Sequence, residues 1–168
     1  MEKPSIGIVI PCFNESGNLP RLVDECRKVS EMSEIDFLIV DNGSTDITQR
    51  ILKDLLPQSG ISSIRIEKNI GYGNGIKIGL RNLSQDYLGW IHADLQTSPK
   101  EILKLSEKIS SPYSLELIKG FRRNRPLTDR FFTGGMSLYS SIKLHCKIRD
   151  ANGQPTIISR SLYNKWKN

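Results

Sequence analysis

The sequence predicts an α/β fold: a single domain built on one mostly parallel sheet flanked by helices. Three observations predict it. Short apolar runs alternate with amphipathic stretches of helical spacing along most of the chain. Polar and glycine-rich residues gather just after the apolar runs. No linker-like or low-complexity stretch divides the 168 residues, a length that suits one core.

Ser5 to Pro11, rich in Ile and Val, reads as a buried strand. From Asn18 to about Ser30, residues Leu19, Leu22, Val23, Cys26 and Val29 then recur at helical spacing. Asp36 to Val40 is a second strand. The helix after it is expected to be capped by Ser44 or Thr45, with Ile47, Ile51, Leu52 and Leu55 on one face. Ile64 to Glu67 and Gly73 to Leu83 are the third strand and helix. Tyr87 to Ala93 is a fourth strand, and Pro99 introduces a helix over Glu101 to Ile109. Leu115 to Phe121 reads as a fifth strand. Asp129 to Cys146 is mostly helical, with Gly134 and Gly135 weakening its first turns. Strands joined through helices imply right-handed crossovers and parallel pairing.

Hydrophobic content of 38% and charged content of 25% exclude collagen-like and disordered classes. The longest apolar runs, such as Ile6 to Pro11, are strand-length and too short to cross a bilayer. The N-terminus carries Glu2 and Lys3 and then a strand, not a secretion signal, so a cytoplasmic location is expected. Cys12, Cys26 and Cys146 are odd in number and lack metal-type spacing; they read as small buried apolar residues. The net charge of +6 suggests an anionic partner. Nucleic acid is not expected, because no stacking aromatics are interleaved in a recognisable module.

Four polar groups follow four successive strands: Asn14 and Glu15, Asp41 and Asn42, Asn69 and Gly71, Asp94 and Gln96. All should therefore lie on the carboxyl edge of the sheet, where open α/β folds bind ligands. In the run His92 to Pro99, strand alternation would let His92, Asp94 and Gln96 converge. A carboxylate and a carboxamide oxygen, completed by water and phosphate, suit Mg2+ or Mn2+; Asp94 alone as a helix cap is the plainer alternative. Asp41 is placed to accept from a base N–H or a ribose hydroxyl, Gly43 permits a tight turn, and Asp46 favours the dipole of the next helix. Around Gly71, Gly73 and Gly75 the backbone can approach an anion. This glycine cluster also raises a dinucleotide-dependent oxidoreductase, but the fingerprint needs a third glycine where Ile76 stands, and it normally opens the first strand–helix unit. Lys119, Arg122, Arg123, Arg125 and Arg130 form a basic group that either grips diphosphate or is a solvated face.

On these residues the chain resembles the family 2 glycosyltransferases of the GT-A, Rossmann-like fold, especially the dolichyl-phosphate mannose synthase-like branch. Val9-Ile10-Pro11-Cys12-Phe13-Asn14-Glu15 looks like the opening nucleotide-binding strand and turn. Val40 to Asp46 looks like the next, Asn69-Ile70-Gly71-Tyr72-Gly73 like the glycine-rich turn, and His92-Ala93-Asp94-Leu95-Gln96 like the metal-binding Asp-x-Asp segment. The resemblance implies that Pro11, Asn14, Glu15 and Asp41 hold the nucleoside, in a donor site that also takes in Asn42, Gly71, Gly73 and Ala93. It implies that Asp94 and Gln96, with His92 beside them, hold Mg2+ or Mn2+. Arg149 to Pro155 is similar to the acceptor-side segment. By that likeness Asp150 joins Asp94 as a catalytic candidate, and Arg122, Arg125 and Gln154 are candidates for diphosphate or acceptor.

The function implied is metal-dependent, inverting sugar transfer from a nucleoside-diphosphate-sugar to a polyprenyl-phosphate or saccharide acceptor, with peripheral association at the inner face of the membrane. Residues 5 to 110 would bind donor and 111 to 168 would form the acceptor side. His92 replaces the usual first acid of the metal segment and Asn42 a common second acid. The chain also ends soon after Asp150, where relatives continue, so an incomplete acceptor side is expected. A non-catalytic nucleotide-sugar-binding module is the alternative that these departures favour.

Overall fold

In a computed structural model of the chain, the structure describes residues 3–109, 117–120 and 153–166. The order of elements is β1 (Ile6–Cys12), α1 (Leu19–Glu31), β2 (Ile35–Asn42), α2 (Thr48–Leu55), β3 (Ser62–Ile66), α3 (Tyr72–Arg81), β4 (Tyr87–Trp90), α4 (Lys100–Ser106), β5 (Leu117–Lys119), β6 (Thr156–Ser159) and α5 (Arg160–Trp166). The six strands form one sheet in the order β3-β2-β1-β4-β6-β5. The α/β class read from the sequence is the observed one.

Every residue of β1 is buried, as a strand covered on both faces by helices requires. Ile6, Ile8, Ile10 and Cys12 pack with α1 (Leu19, Leu22, Val23, Cys26, Val29) and with Ile102 of α4. Val9, Leu38 and Val40 face the other way, against Ile76 and Leu80 of α3. Alternate side chains of a strand serve opposite layers, so the two layers need almost uninterrupted apolar sequence. α3 lies very close to the sheet at Gly79, where a Cβ would sit 2.4 Å from Val9 Cγ1.

β1 pairs in parallel with both β2 and β4, and β2 with β3. From β1 the chain therefore winds outward through β2 and β3, then returns through α3 to β4 on the far side of β1. Crossovers of one hand that step in opposite directions put their helices on opposite faces, which is where α1 and α3 lie. The reversal falls between β1 and β4. At such a switch point the carboxyl ends of the strands open a crevice. β6 runs antiparallel to β4 and β5; because Thr156 pairs with Trp90, the residues preceding it enter at that same carboxyl edge.

Three expectations need correction. The fourth strand stops at Trp90 rather than Ala93: Ile91 N–H still reaches Val9 O, but His92 N–H is taken by the Gln154 side chain at 2.8 Å, and Leu95 has φ of 58°. His92, Asp94 and Gln96 thus lie in a turn, and strand alternation does not gather them. α2 begins at Thr48 with no side-chain cap. Neither Ser44 nor Thr45 caps it, because Ser44 Oγ accepts from Asn14 N–H instead. Antiparallel β6 had no counterpart in the sequence reading. The expected helix over 129 to 146 lies outside the described residues.

Candidate active site

Three turns build the carboxyl edge, and side-chain amides stitch them together. Asn14, at φ of 57°, has its Oδ1 2.8 Å from Thr45 N–H and 3.3 Å from Asp46 N–H. Asn42 Oδ1 accepts from Ile70 N–H at 3.3 Å, while its Nδ2 donates to Asn69 Oδ1 and Gly71 O. Glu15 N–H donates to Thr48 Oγ1, and Glu15 Oε2 accepts from Asn18 Nδ2 at 2.7 Å. Asn14, just after β1, and Asn42, the last residue of β2, therefore hold one turn to the next.

Asp41, 2% exposed, is the penultimate residue of β2. Its Oδ1 accepts from Ser44 N–H at 3.0 Å and its Oδ2 is ion-paired with Arg65 Nη1. Arg65 also donates to Ser44 O. Sequence reading missed Arg65, because only the β2–β3 register, which sets Asp41 opposite Arg65, identifies it as the partner. The pair faces a cleft of about 540 Å3 between α2 and β3, whose walls include Gln49, Leu52, Lys53 and Ile64. A carboxyl group taken out of water needs partners, and Asp41 has both an ion pair and a hydrogen bond.

Several carboxylates share this edge. Cys12 reports them: burial first, then the negative charges of Asp41, Glu15 and Asp46, push its thiol up to about 12. The thiol is therefore neutral and unreactive at physiological pH.

Across the switch point lies the turn after β4. Ala93 is buried, Asp94 half-buried and Gln96 exposed. Asp94 Oδ1 accepts from Gln96 N–H at 3.0 Å, and no hydrogen bond or ion pair is made by its Oδ2 among the described residues. No group of three or more His, Cys, Asp or Glu is gathered among the described residues. The donor set therefore fits a hard cation that takes one or two carboxylate oxygens and completes its shell from water and substrate phosphate, the usual habit of Mg2+. It does not fit a closed protein cage. The His92 ring stacks on Tyr72, with centroids 4.5 Å apart and planes 9° from parallel. Gln154, buried, accepts His92 N–H on Oε1 and donates from Nε2 to the Tyr72 hydroxyl at 2.9 Å.

Of the remaining sequence candidates, Pro11 is buried near the end of β1, and Gly71, at φ of 88°, precedes α3 with Gly73 in its first turn. Lys119 is half-buried in β5. Asp150, Arg122 and Arg125 lie outside the described residues. Tyr72 escaped the sequence reading as a partner of His92; nothing in the order of residues announces a contact across twenty positions.

A mostly parallel sheet with a switch point between β1 and β4 and helices on both faces is a nucleotide-binding type of α/β architecture, and the solved structures that superpose on it place it with the GT-A folds. Residues 7–165 match the family model described as Glycosyl transferase family 2, and the chain belongs to that family. Among similar curated proteins, an undecaprenyl-phosphate 4-deoxy-4-formamido-L-arabinose transferase of Enterobacter sp. (strain 638) is 32% identical over 124 residues, 71% of this chain and 37% of that protein. Its namesake in Pectobacterium atrosepticum is 32% identical over 127 residues, 72% of this chain and 38% of its own. The chain thus spans less than half the length of these relatives. Among solved structures, a mannosyltransferase from Pyrobaculum calidifontis in complex with GDP-Man and Mn2+ superposes with a TM-score of 0.70 at 15% identity, over 100% of this chain and 48% of that one. Glucosyl-3-phosphoglycerate synthase from Mycobacterium tuberculosis, in complex with Mn2+ and UDP-Glc, gives 0.71 at 19% identity, over 94% and 57%. At these identities the likeness is one of fold.

Proposed function

We propose that this chain is the donor-binding and catalytic domain of a glycosyltransferase that moves a sugar from a nucleoside-diphosphate-sugar to a polyprenyl phosphate. The observation that carries the reading is Asp94, which follows β4 at the switch point and keeps one carboxylate oxygen without a partner among the described residues. Family membership and the names of the undecaprenyl-phosphate relatives support the chemistry and the acceptor class. The sequence likeness to the dolichyl-phosphate mannose synthase-like branch points to the same class of acceptor.

The roles follow from position. Asp41, Arg65 and the turn at Asn14 and Glu15 form the nucleoside end of the site. Asp94, with Gln96 beside it, would hold Mg2+ or Mn2+ against the diphosphate; the bound ion would neutralise charge on the leaving nucleoside diphosphate. An acceptor phosphate oxygen is already anionic, so its attack on the anomeric carbon needs no general base. A single displacement, opposite the departing diphosphate, inverts that carbon. Were the acceptor a saccharide hydroxyl, Asp150 would be the candidate to take its proton.

A thermal-shift screen of UDP- and GDP-sugars with and without Mn2+ tests the donor, and transfer of labelled sugar into an organic-soluble product from undecaprenyl phosphate tests the acceptor. A donor at a hundredfold its Kd should stabilise the fold by about 2.7 kcal/mol, a rise of about 5–10 °C for a domain of this size. Donor binding with neither transfer nor hydrolysis would instead identify a binding module. Stabilisation by NAD and by no nucleotide-sugar would reject the reading.

A further inference from the structure

The acceptor-side strand and the proposed metal turn meet through one side chain. Gln154 stands just before β6 and uses both ends of its carboxamide there: Oε1 accepts His92 N–H at 2.8 Å and Nε2 donates to Tyr72 Oη at 2.9 Å. Tyr72, at the start of α3, stacks face to face on the His92 ring. The side chain is 8% exposed, and its backbone is wedged from behind. A Cβ at Gly120 would stand 2.1 Å from Gln154 O, so only glycine lets β5 approach this segment so closely. The hydrogen bond to His92 N–H also replaces the ladder bond that would have extended β4, which is why the strand ends and the turn carrying Asp94 begins two residues later.

We propose that Gln154 is a positioning residue, a latch that fixes the turn from His92 to Gln96 in the conformation Asp94 needs to meet a cation-bound diphosphate. The inference deepens the proposed function and, for its binding readout, rests on it. The turn carries an uncommon backbone geometry: Leu95 sits at φ of 58°, a conformation that branched and bulky residues adopt only when their surroundings enforce it. Released from Gln154, His92 N–H would be a half-buried donor without its partner, and the turn would relax toward commoner geometry. Residues that orient a metal ligand from behind typically cost ten- to a hundredfold in metal affinity when removed.

Gln154→Met keeps the length of the side chain and deletes both hydrogen bonds. In that variant, deuterium exchange at the amides of 92 to 96 should accelerate in the protein without ligand, while exchange in β1 and β2 stays unchanged. Affinity for UDP or GDP should fall about tenfold with Mn2+ present and stay unchanged without it. Tyr72→Phe, which removes the hydroxyl that Gln154 Nε2 donates to and keeps the ring, should fall between. Gln154→Glu should recover most of the protection, since a tyrosine hydroxyl donates as readily as it accepts.

Unaltered exchange at 92 to 96 in Gln154→Met would overturn the latch. So would a parallel loss of metal-dependent and metal-free binding together with a lowered Tm, the signature of a merely structural residue. If the unmodified protein binds no nucleoside diphosphate, the proposed function fails, and the exchange measurement still decides the latch.

Discussion

At the scale of single residues, polarity at the carboxyl edge divides into groups that hold the turns and groups left over for a ligand. Asn14 and Asn42 are spent on backbone amides and carbonyls, whereas Asp94 retains an oxygen. Asp46 belongs with the former. Burial is the largest influence on it and works upward, yet hydrogen bonds from Thr48 and Ser16 outweigh it and hold the carboxyl at about 2, below its ordinary 3.8. The fold thus favours the charged form: its contribution is complete above about pH 4 and disappears as the pH falls through 2. Urea unfolding of Asp46→Asn should accordingly show a shallower loss of stability between pH 4 and pH 2 than the unmodified chain. Arg65→Met should cost about 1–3 kcal/mol, because it strands a buried carboxylate while part of Arg65 remains in solvent; an unchanged denaturation midpoint would deny the pair that role.

At the scale of elements, the sequence named the strands and helices on either side of β1 because both faces of a parallel sheet are covered and apolar periodicity has nowhere else to go. Its errors lie where side chains from distant positions intervene. β4 was read too long because the residue that terminates it, Gln154, arrives from sixty-two positions away. The sequence offers Ser44 or Thr45 as a cap for α2, whereas the Ser44 hydroxyl's actual partner, Asn14 N–H, belongs to another turn. The close seat of α3 on β1 was equally hidden, since the need for Gly79 appears only when Val9 is brought against it. Gly79→Ala should force α3 outward at about 1–3 kcal/mol, lowering Tm by about 3–10 °C in a thermal melt; an unchanged Tm would mean the helix has room.

At the scale of the whole molecule, the switch point between β1 and β4 brings the turn of Asn14, the buried Asp41 and the turn of Asp94 to one edge, and antiparallel β6 delivers Gln154 to the same place. That these turns share one edge of the sheet was legible in the sequence because four polar groups followed four strands. The wiring within that edge was not, because Arg65, Tyr72 and Gln154 gain their meaning only from register and tertiary contact. A diphosphate brought beside Asp94 would meet its carboxylate directly unless a cation lay between them. Calorimetry of UDP and GDP binding, with and without Mn2+, to the unmodified chain and to Asp94→Ala tests this most directly. The expected result is binding that requires the ion and is lost in the variant at unchanged Tm. Binding of equal strength in chelator, or untouched by Asp94→Ala, would contradict it.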